Sequence, residues 1–251
     1  MIKALDVIKK IEEFAPLALQ EDYDNSGLQI GAEDTEVKGI MIALNLDLDV
    51  IKEAKEKGAN FILTHHPILF NPISEINPSK VQWKVLYEAI KNDFVVYAAH
   101  TSCDNAEDSI GVQNLKLLGV KNIYRDGEVL FGDIDTNIAL LRNDLEKVTG
   151  DTAILSTHLN KPIKKVAYIN GSGGRESGIL DLLIESKVDC YISSEFKYSF
   201  LLDLVNSNIE VLELNHFNSE KIFNEIMKNK LCTDFNNVFI YSKTQNPYSK
   251  E

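Results

Sequence analysis

The sequence predicts an α/β fold built as two similar α/β domains with mixed, largely parallel sheets. Three observations predict it. Short apolar runs alternate with helix-period segments along most of the chain, the pattern of βαβ units. The second half repeats motifs of the first. Four of the five histidines stand directly after predicted strands, at the carboxyl edge where open α/β sheets take ligands.

The elements follow in order. Ala4, Val7, Ile8, Ile11, Phe14 and Ala15 recur at i, i+3, i+4, i+7 spacing, an amphipathic helix that Pro16 ends. Residues 22–31 are a turn-rich stretch. A strand over 37–44 precedes a helix near 49–57, and a strand over 60–64 runs into His65-His66-Pro67. A helix near 80–91 leads to a strand over 94–99 that ends in His100, and 105–118 reads as helical. The stretch 125–160 reads as a strand or two with a helix near 143–148. Beyond it come a strand over 163–170, a glycine loop and a helix near 177–186. Strands over 189–193, 209–214 and 237–242 then alternate with helices near 197–206 and 219–228.

The internal likeness is specific. Lys38-Gly39-Ile40-Met41-Ile42-Ala43-Leu44 resembles Lys164-Lys165-Val166-Ala167-Tyr168-Ile169-Asn170. Asn60-Phe61-Ile62-Leu63-Thr64 resembles Asp189-Cys190-Tyr191-Ile192-Ser193. His100 stands four residues before Asp104, as His216 stands four before Glu220. The second half has a shorter connection, without a counterpart of the Pro-bearing stretch 71–79. This reads as a duplication into domains over 1–127 and 128–251, with the last strand a candidate to return to the first domain. A site then falls in the cleft between them, at the carboxyl ends of strands.

Composition bounds the function. The chain has 251 residues, 44% hydrophobic and 25% charged, as globular proteins do. Its formal charge of −12 argues against a general nucleic-acid binder, which needs clustered Lys and Arg. Cys103, Cys190 and Cys232 form an odd set without C-x-x-C spacing, against a disulfide framework or a zinc ribbon. The first residues carry charge where a signal peptide is apolar, and no run approaches ~18 apolar residues. The expectation is a cytoplasmic protein with no membrane association.

The strand-end residues carry the chemistry. His65, His66, His100 and His216, with Asp104 and Glu220, offer imidazole and carboxylate donors without a thiolate; His158 lies elsewhere and reads as surface or structural. Such a set suits Zn, Mn, Fe, Co or Ni, and two ions can share a bridging carboxylate. The loop Gly171-Ser172-Gly173-Gly174-Arg175 follows a strand and precedes a helix, so its amides can hold an anion, with Arg175 a phosphate partner. The alternative is a simple tight turn. The loop is no dinucleotide fingerprint, since Glu176 stands at the last glycine position, and no P-loop. Ser194-Glu195-Phe196-Lys197 occupies the second-half position matching His65-His66. Glu195 or Lys197 is a candidate acid–base or supporting group, against a solvated helix start. Cys103 is a candidate soft ligand or a small buried hydrophobe.

These motifs resemble the family called GTP cyclohydrolase I type 2 homologues, or NGG-interacting-factor-three-like proteins, in the short form without a central inserted domain. The marks are Asp24-Asn25-Ser26-Gly27-Leu28-Gln29-Ile30-Gly31, Thr64-His65-His66-Pro67 and Ala99-His100-Thr101-Ser102-Cys103-Asp104. Gly171-Ser172-Gly173-Gly174 and Asn215-His216-Phe217-Asn218-Ser219-Glu220 complete them, so the likeness covers nearly the whole chain. The resemblance implies two interlinked α/β domains and a dinuclear divalent-metal centre between them. It implies ligands at His65, His66, Asp104, His216 and a bridging Glu220, with His100 beside the site or facing substrate. It implies a ring-like homohexamer, and the family name implies hydrolysis of GTP. Two departures stand out. The family usually has Leu at Cys103, and Ser199 takes the place of a usual histidine.

The leading expectation is a metal-dependent hydrolase with two divalent ions per chain (Zn, Mn, Fe, Co or Ni). Its substrate is a nucleotide or other small phosphorylated molecule, held by Gly171, Gly173, Gly174 and Arg175. His100 and Glu195 are the acid–base candidates. The alternative is a non-catalytic metal-binding regulatory or scaffold protein.

Overall fold

The first helix, α1 (Ala4–Phe14), buries Ala4, Val7, Ile8 and Ile11, the stripe its spacing demands. The computed structural model describes residues 1–158, 161–235, 238–243 and 246, and the side chains of Gln82 and Lys243 are not among what it describes. A short edge strand, β1 (Gly27–Ile30), lies inside the stretch read from sequence as turns. Its half-exposed pattern lacks the apolar run that marks the strands after it. β2 (Gly39–Ala43) leads to α2 (Leu48–Lys57), which Asp47 caps through the Val50 amide and Gly58 ends in the left-handed conformation. β3 (Phe61–Thr64), α3 (Val81–Lys91) and β4 (Val95–Ala98) follow.

The helix expected over 105–118 is shorter, and a separate turn of helix stands ahead of it. α4 (Thr101–Asp104) ends before α5 (Ile110–Leu117), and Ser109 caps α5 by accepting from the Val112 amide. The ambiguous stretch resolves into a hairpin, β5 (Lys121–Asp126) and β6 (Val129–Asn137). It continues into α6 (Ile138–Thr149) and β7 (Leu155–Ser156). Then come β8 (Pro162–Tyr168), α7 (Leu180–Glu185), β9 (Cys190–Ser193), α8 (Tyr198–Asn206) and β10 (Glu210–Glu213). The helix expected near 219–228 divides, into α9 (His216–Glu220) and α10 (Phe223–Cys232). The last strand, β11, is Phe239–Lys243; Asn237, where sequence placed its start, lies outside the described residues.

Two mixed sheets result. The first has the order β1-β4-β3-β2-β11, with β1 antiparallel and the other pairings parallel. The second has the order β5-β6-β8-β9-β10-β7, with a parallel centre β8-β9-β10. Strands β2, β3, β4 and β9 are buried throughout, as parallel strands covered on both faces must be. That is why they read as unbroken apolar runs.

The duplication is visible in the topology. β1 precedes β2 in the chain and lies antiparallel beyond β4; β7 precedes β8 and lies antiparallel beyond β10. So α1-β1-β2-β3-β4-α4-α5 matches α6-β7-β8-β9-β10-α9-α10. The compact units are not the repeats themselves. One unit is Met1–Ala106 with Phe223–Glu251, the other Glu107–Ile222. Each repeat therefore gives its last helix to the other unit. α5 packs on α6, β5 and β6, while α10 packs on α1, β2 and β11. Among the described residues no helix is long and apolar enough to cross a membrane.

Candidate metal centre

In the first unit three histidines converge at strand ends. The ladder continues past β3: His65 N donates to Ala43 O at 3.2 Å and His66 N to Leu44 O at 2.9 Å. Both backbones are thus fixed as the strand ends. The ring centroids of His65, His66 and His100 lie 4.9, 5.2 and 5.5 Å apart. One ligand nitrogen from each lies within 4.8 Å of the others, a group that could hold a metal ion. Asp104 Oδ2 stands 3.7 Å from His65 Nε2.

The second nitrogen of each ring is held. His65 Nδ1 lies 2.9 Å from Ala99 O, and His66 Nδ1 lies 2.8 Å from Asn45 Oδ1. His100 Nδ1 lies 2.7 Å from Asp24 Oδ1. A carbonyl or carboxylate oxygen only accepts, so Nδ1 carries the hydrogen and Nε2 is the nitrogen directed to a ligand. This is the arrangement that orients metal-binding imidazoles.

Asp24 is the residue sequence reasoning missed. It lies in a quoted motif, but its partners His100 and Thr101 are more than seventy positions downstream in the chain. Its carboxylate also accepts from Thr101 N at 3.0 Å, Thr101 Oγ1 at 2.5 Å and Ser26 Oγ at 2.7 Å. Burial works to raise its pKa, but the bonds from His100, Thr101 and Ser26 prevail and hold it well below the usual carboxylate range.

In the second unit α9 is a single turn, so the i, i+4 pair His216 and Glu220 shares a face. His216 Nε2 is 3.0 Å from Glu220 Oε2, and His216 Nδ1 is 2.7 Å from Glu195 Oε1. The other oxygen of Glu195 meets Arg175 Nη2 at 2.6 Å. Burial works to lower the His216 pKa, yet Glu220 and then Glu195 outweigh it and push it up to about 9. Glu195, read from sequence as an acid–base or supporting group, has both carboxylate oxygens engaged.

The glycine loop serves this cluster. Expected to face an anion, the Gly171 amide donates to Ser219 Oγ at 2.9 Å and the Gly174 amide to Ser194 O at 2.9 Å. Gly171 has φ of 63°, and a Cβ there would collide with Glu220 Oε1. Gly173 lies against Ile169 and Ser193, and Gly174 against Ser194 and Phe196. The three glycines are thus explained by close approach, and Arg175 by its bond to Glu195. Cys103 is fully buried on α4, as a small hydrophobe would be. Lys197, Ser199 and His158 are exposed.

Fold and donors together define the class: a duplicated α/β protein whose parallel strands end in imidazole and carboxylate groups able to hold a metal ion. The Duf34/NIF3 (NGG1p interacting factor 3) family matches residues 2–247, and the chain belongs to that family. It is 34% identical over 247 residues to a Clostridium acetobutylicum protein called GTP cyclohydrolase 1 type 2 homolog, covering 92% of this chain and 90% of that one. Its fold is similar to that of a Staphylococcus aureus protein of known structure, with a TM-score of 0.87 and 21% identity over 100% of this chain and 99% of that one. It is also similar to reduced HcgD from Methanocaldococcus jannaschii, with a TM-score of 0.85 and 26% identity over 96% and 97% of the two chains.

Proposed function

We propose that the protein is a metal-dependent hydrolase acting on a nucleotide or another small phosphorylated molecule. His65, His66, Asp104, His216 and Glu220 would hold two divalent cations, as the family resemblance implies. The observation that carries this reading is the pinning of all four strand-end imidazoles through Nδ1, two by neutral oxygens and two by carboxylates. Orientation of this kind is unnecessary for an imidazole that merely caps a strand. It fits the demand of a metal for a fixed lone pair.

When bound, two such cations supply Lewis acidity and make a water acidic enough to ionise near neutral pH. The chain's own residues do the rest. Asp24, shielded from solvent, holds the His100 ring so that Nε2 faces the other two imidazoles. There His100 takes a proton from the attacking water and returns it to the leaving group, the work of an oriented general base. Arg175 does not wait for a phosphate in this reading, because it already pairs with Glu195. The protein would work in the cytoplasm as a homohexamer.

One observation favours a second reading, a non-catalytic metal-binding scaffold. With Glu195 engaged and Lys197 and Ser199 exposed, His100 is the one remaining acid–base candidate of those the sequence offered. The deciding experiment loads the protein with metal and assays it against nucleotides, GTP first, and phosphoesters. Turnover lost in Glu220→Gln and Asp24→Asn supports the hydrolase. Two bound metals with silence across the panel support the scaffold.

A further inference from the structure

The Ser194–Lys197 turn is built to hold one carboxylate. Gly174 clamps it from both sides, its amide donating to Ser194 O at 2.9 Å and its carbonyl accepting from Lys197 N at 3.1 Å. Phe196 N donates to Glu213 Oε1 at 3.1 Å. Within the clamp Glu195 adopts φ of 59°, a left-handed conformation costly for a residue with a Cβ. Such strain persists where the surroundings impose it and a side chain is needed there. In the repeat Glu195 stands where His66 stands, yet its two oxygens point to His216 Nδ1 and Arg175 Nη2.

We propose that Glu195, steadied by Arg175, is the positioning residue of His216: it fixes the ring so that Nε2 lies beside Glu220 and sets the affinity of one metal ion. The inference rests on the metal-binding reading above. Arg175 limits the rotation of the carboxylate, so the bond to Nδ1 keeps one direction. The Gly171-Ser172-Gly173-Gly174-Arg175 segment then has a single task. Gly171 leaves room for Glu220, Gly174 grips the turn of Glu195, and Arg175 tethers its free oxygen. An oriented imidazole with a carboxylate behind it is also a more basic ligand, and loss of such a partner commonly weakens metal binding 10–100-fold.

Glycine takes the left-handed conformation without strain, so Glu195→Gly removes the carboxylate while sparing the backbone. The experiment titrates the metal-free protein with Zn²⁺ or Mn²⁺ against a competing chelator. The expected result is one ion held as in wild type and one held 10–100-fold more weakly in Glu195→Gly. Glu195→Gln, whose amide oxygen still accepts from Nδ1, loses less, and Arg175→Ala less again. Unchanged binding of both ions in Glu195→Gly overturns the proposal while leaving the metal-binding reading in place. Equal weakening of both ions, with a lowered unfolding temperature of the metal-free variant, assigns Glu195 a general structural role and also overturns it. A wild-type protein that binds no metal removes the metal-binding reading and this inference together.

Discussion

In the first repeat the residues after β3 are His65 and His66; in the second the residues after β9 are Ser194 and Glu195. The strands before them superpose in sequence pattern and topology, yet one pair offers imidazoles and the other a carboxylate. The orienting partners diverge as well. His100 takes its acceptor from Asp24, ahead of β1, whereas the matching His216 takes it from Glu195 at the neighbouring strand end. Two residues past β2 and three past β8, at matching places in the repeat, stand Asn45 and Gly171. Asn45 holds His66, and Gly171 makes space for Glu220. Duplication kept the places and exchanged the roles. A strand-end position in a parallel sheet is therefore a socket that accepts a ligand, an orienting group or a void with equal ease.

The largest effects should come from the donors themselves. His66→Ala in one repeat and Glu220→Gln in the other should each lower metal content, measured by elemental analysis, with affinity falling at least ~10-fold. Loss in one variant alone would mean that a single repeat carries the metal. Gly171→Ala should cost about 1–2 kcal/mol in urea unfolding from its left-handed backbone alone, and should displace Glu220 and so weaken metal binding. Asn45→Ala, at the matching place, should weaken metal binding while leaving the urea midpoint nearly unmoved. Equal stability losses in both would undo the distinction between void and orienting group.

Asp24→Asn should destabilise the protein by about 1–3 kcal/mol, since a buried acceptor of charge-assisted bonds is weakened. The folded pKa of Asp24 is depressed, so its contribution is present above the unfolded value of 3.8 and lost as pH falls below it. The variant should accordingly show a flatter acid limb in unfolding. The smallest effect is at the other end of the scale. His216 has its folded pKa raised from 6.5 to about 9. Its contribution to the metal-free protein is fully present below 6.5 and lost as pH rises through about 9. Chemical unfolding across that window should show a loss that Glu195→Gln reduces. An unaltered slope in that variant would remove Glu195 from the account of His216.

Much of this was legible before any coordinates. The buried parallel strands announce themselves as apolar runs, and the residues that end them are then known by position. His65, His66, His100 and His216 were found that way. β1 was hidden because an edge strand with one buried residue carries no run. α4 was hidden because four residues are too few to show a helical period, and the break between α9 and α10 because apolar spacing continues across it. Gly171, Gly173 and Gly174 left two readings open for a physical reason. A glycine that admits an anion and one that admits a neighbouring side chain look alike in sequence. Asp24 was illegible because a carboxylate far upstream reaches His100 only through the fold.

The exchange of α5 and α10 has a consequence for biosynthesis. The nascent chain leaves the first unit after Ala106 and returns to it only at Phe223. Every helix and strand of the second unit must therefore emerge from the ribosome before the first can close. A nascent chain stopped short of Phe223 would lack α10 and β11, leaving one face of β2 and its edge uncovered. Glu220, two residues before the chain crosses back, would leave the ribosome only just ahead of α10. Of the five side chains proposed as metal donors, this carboxylate is the last to be made.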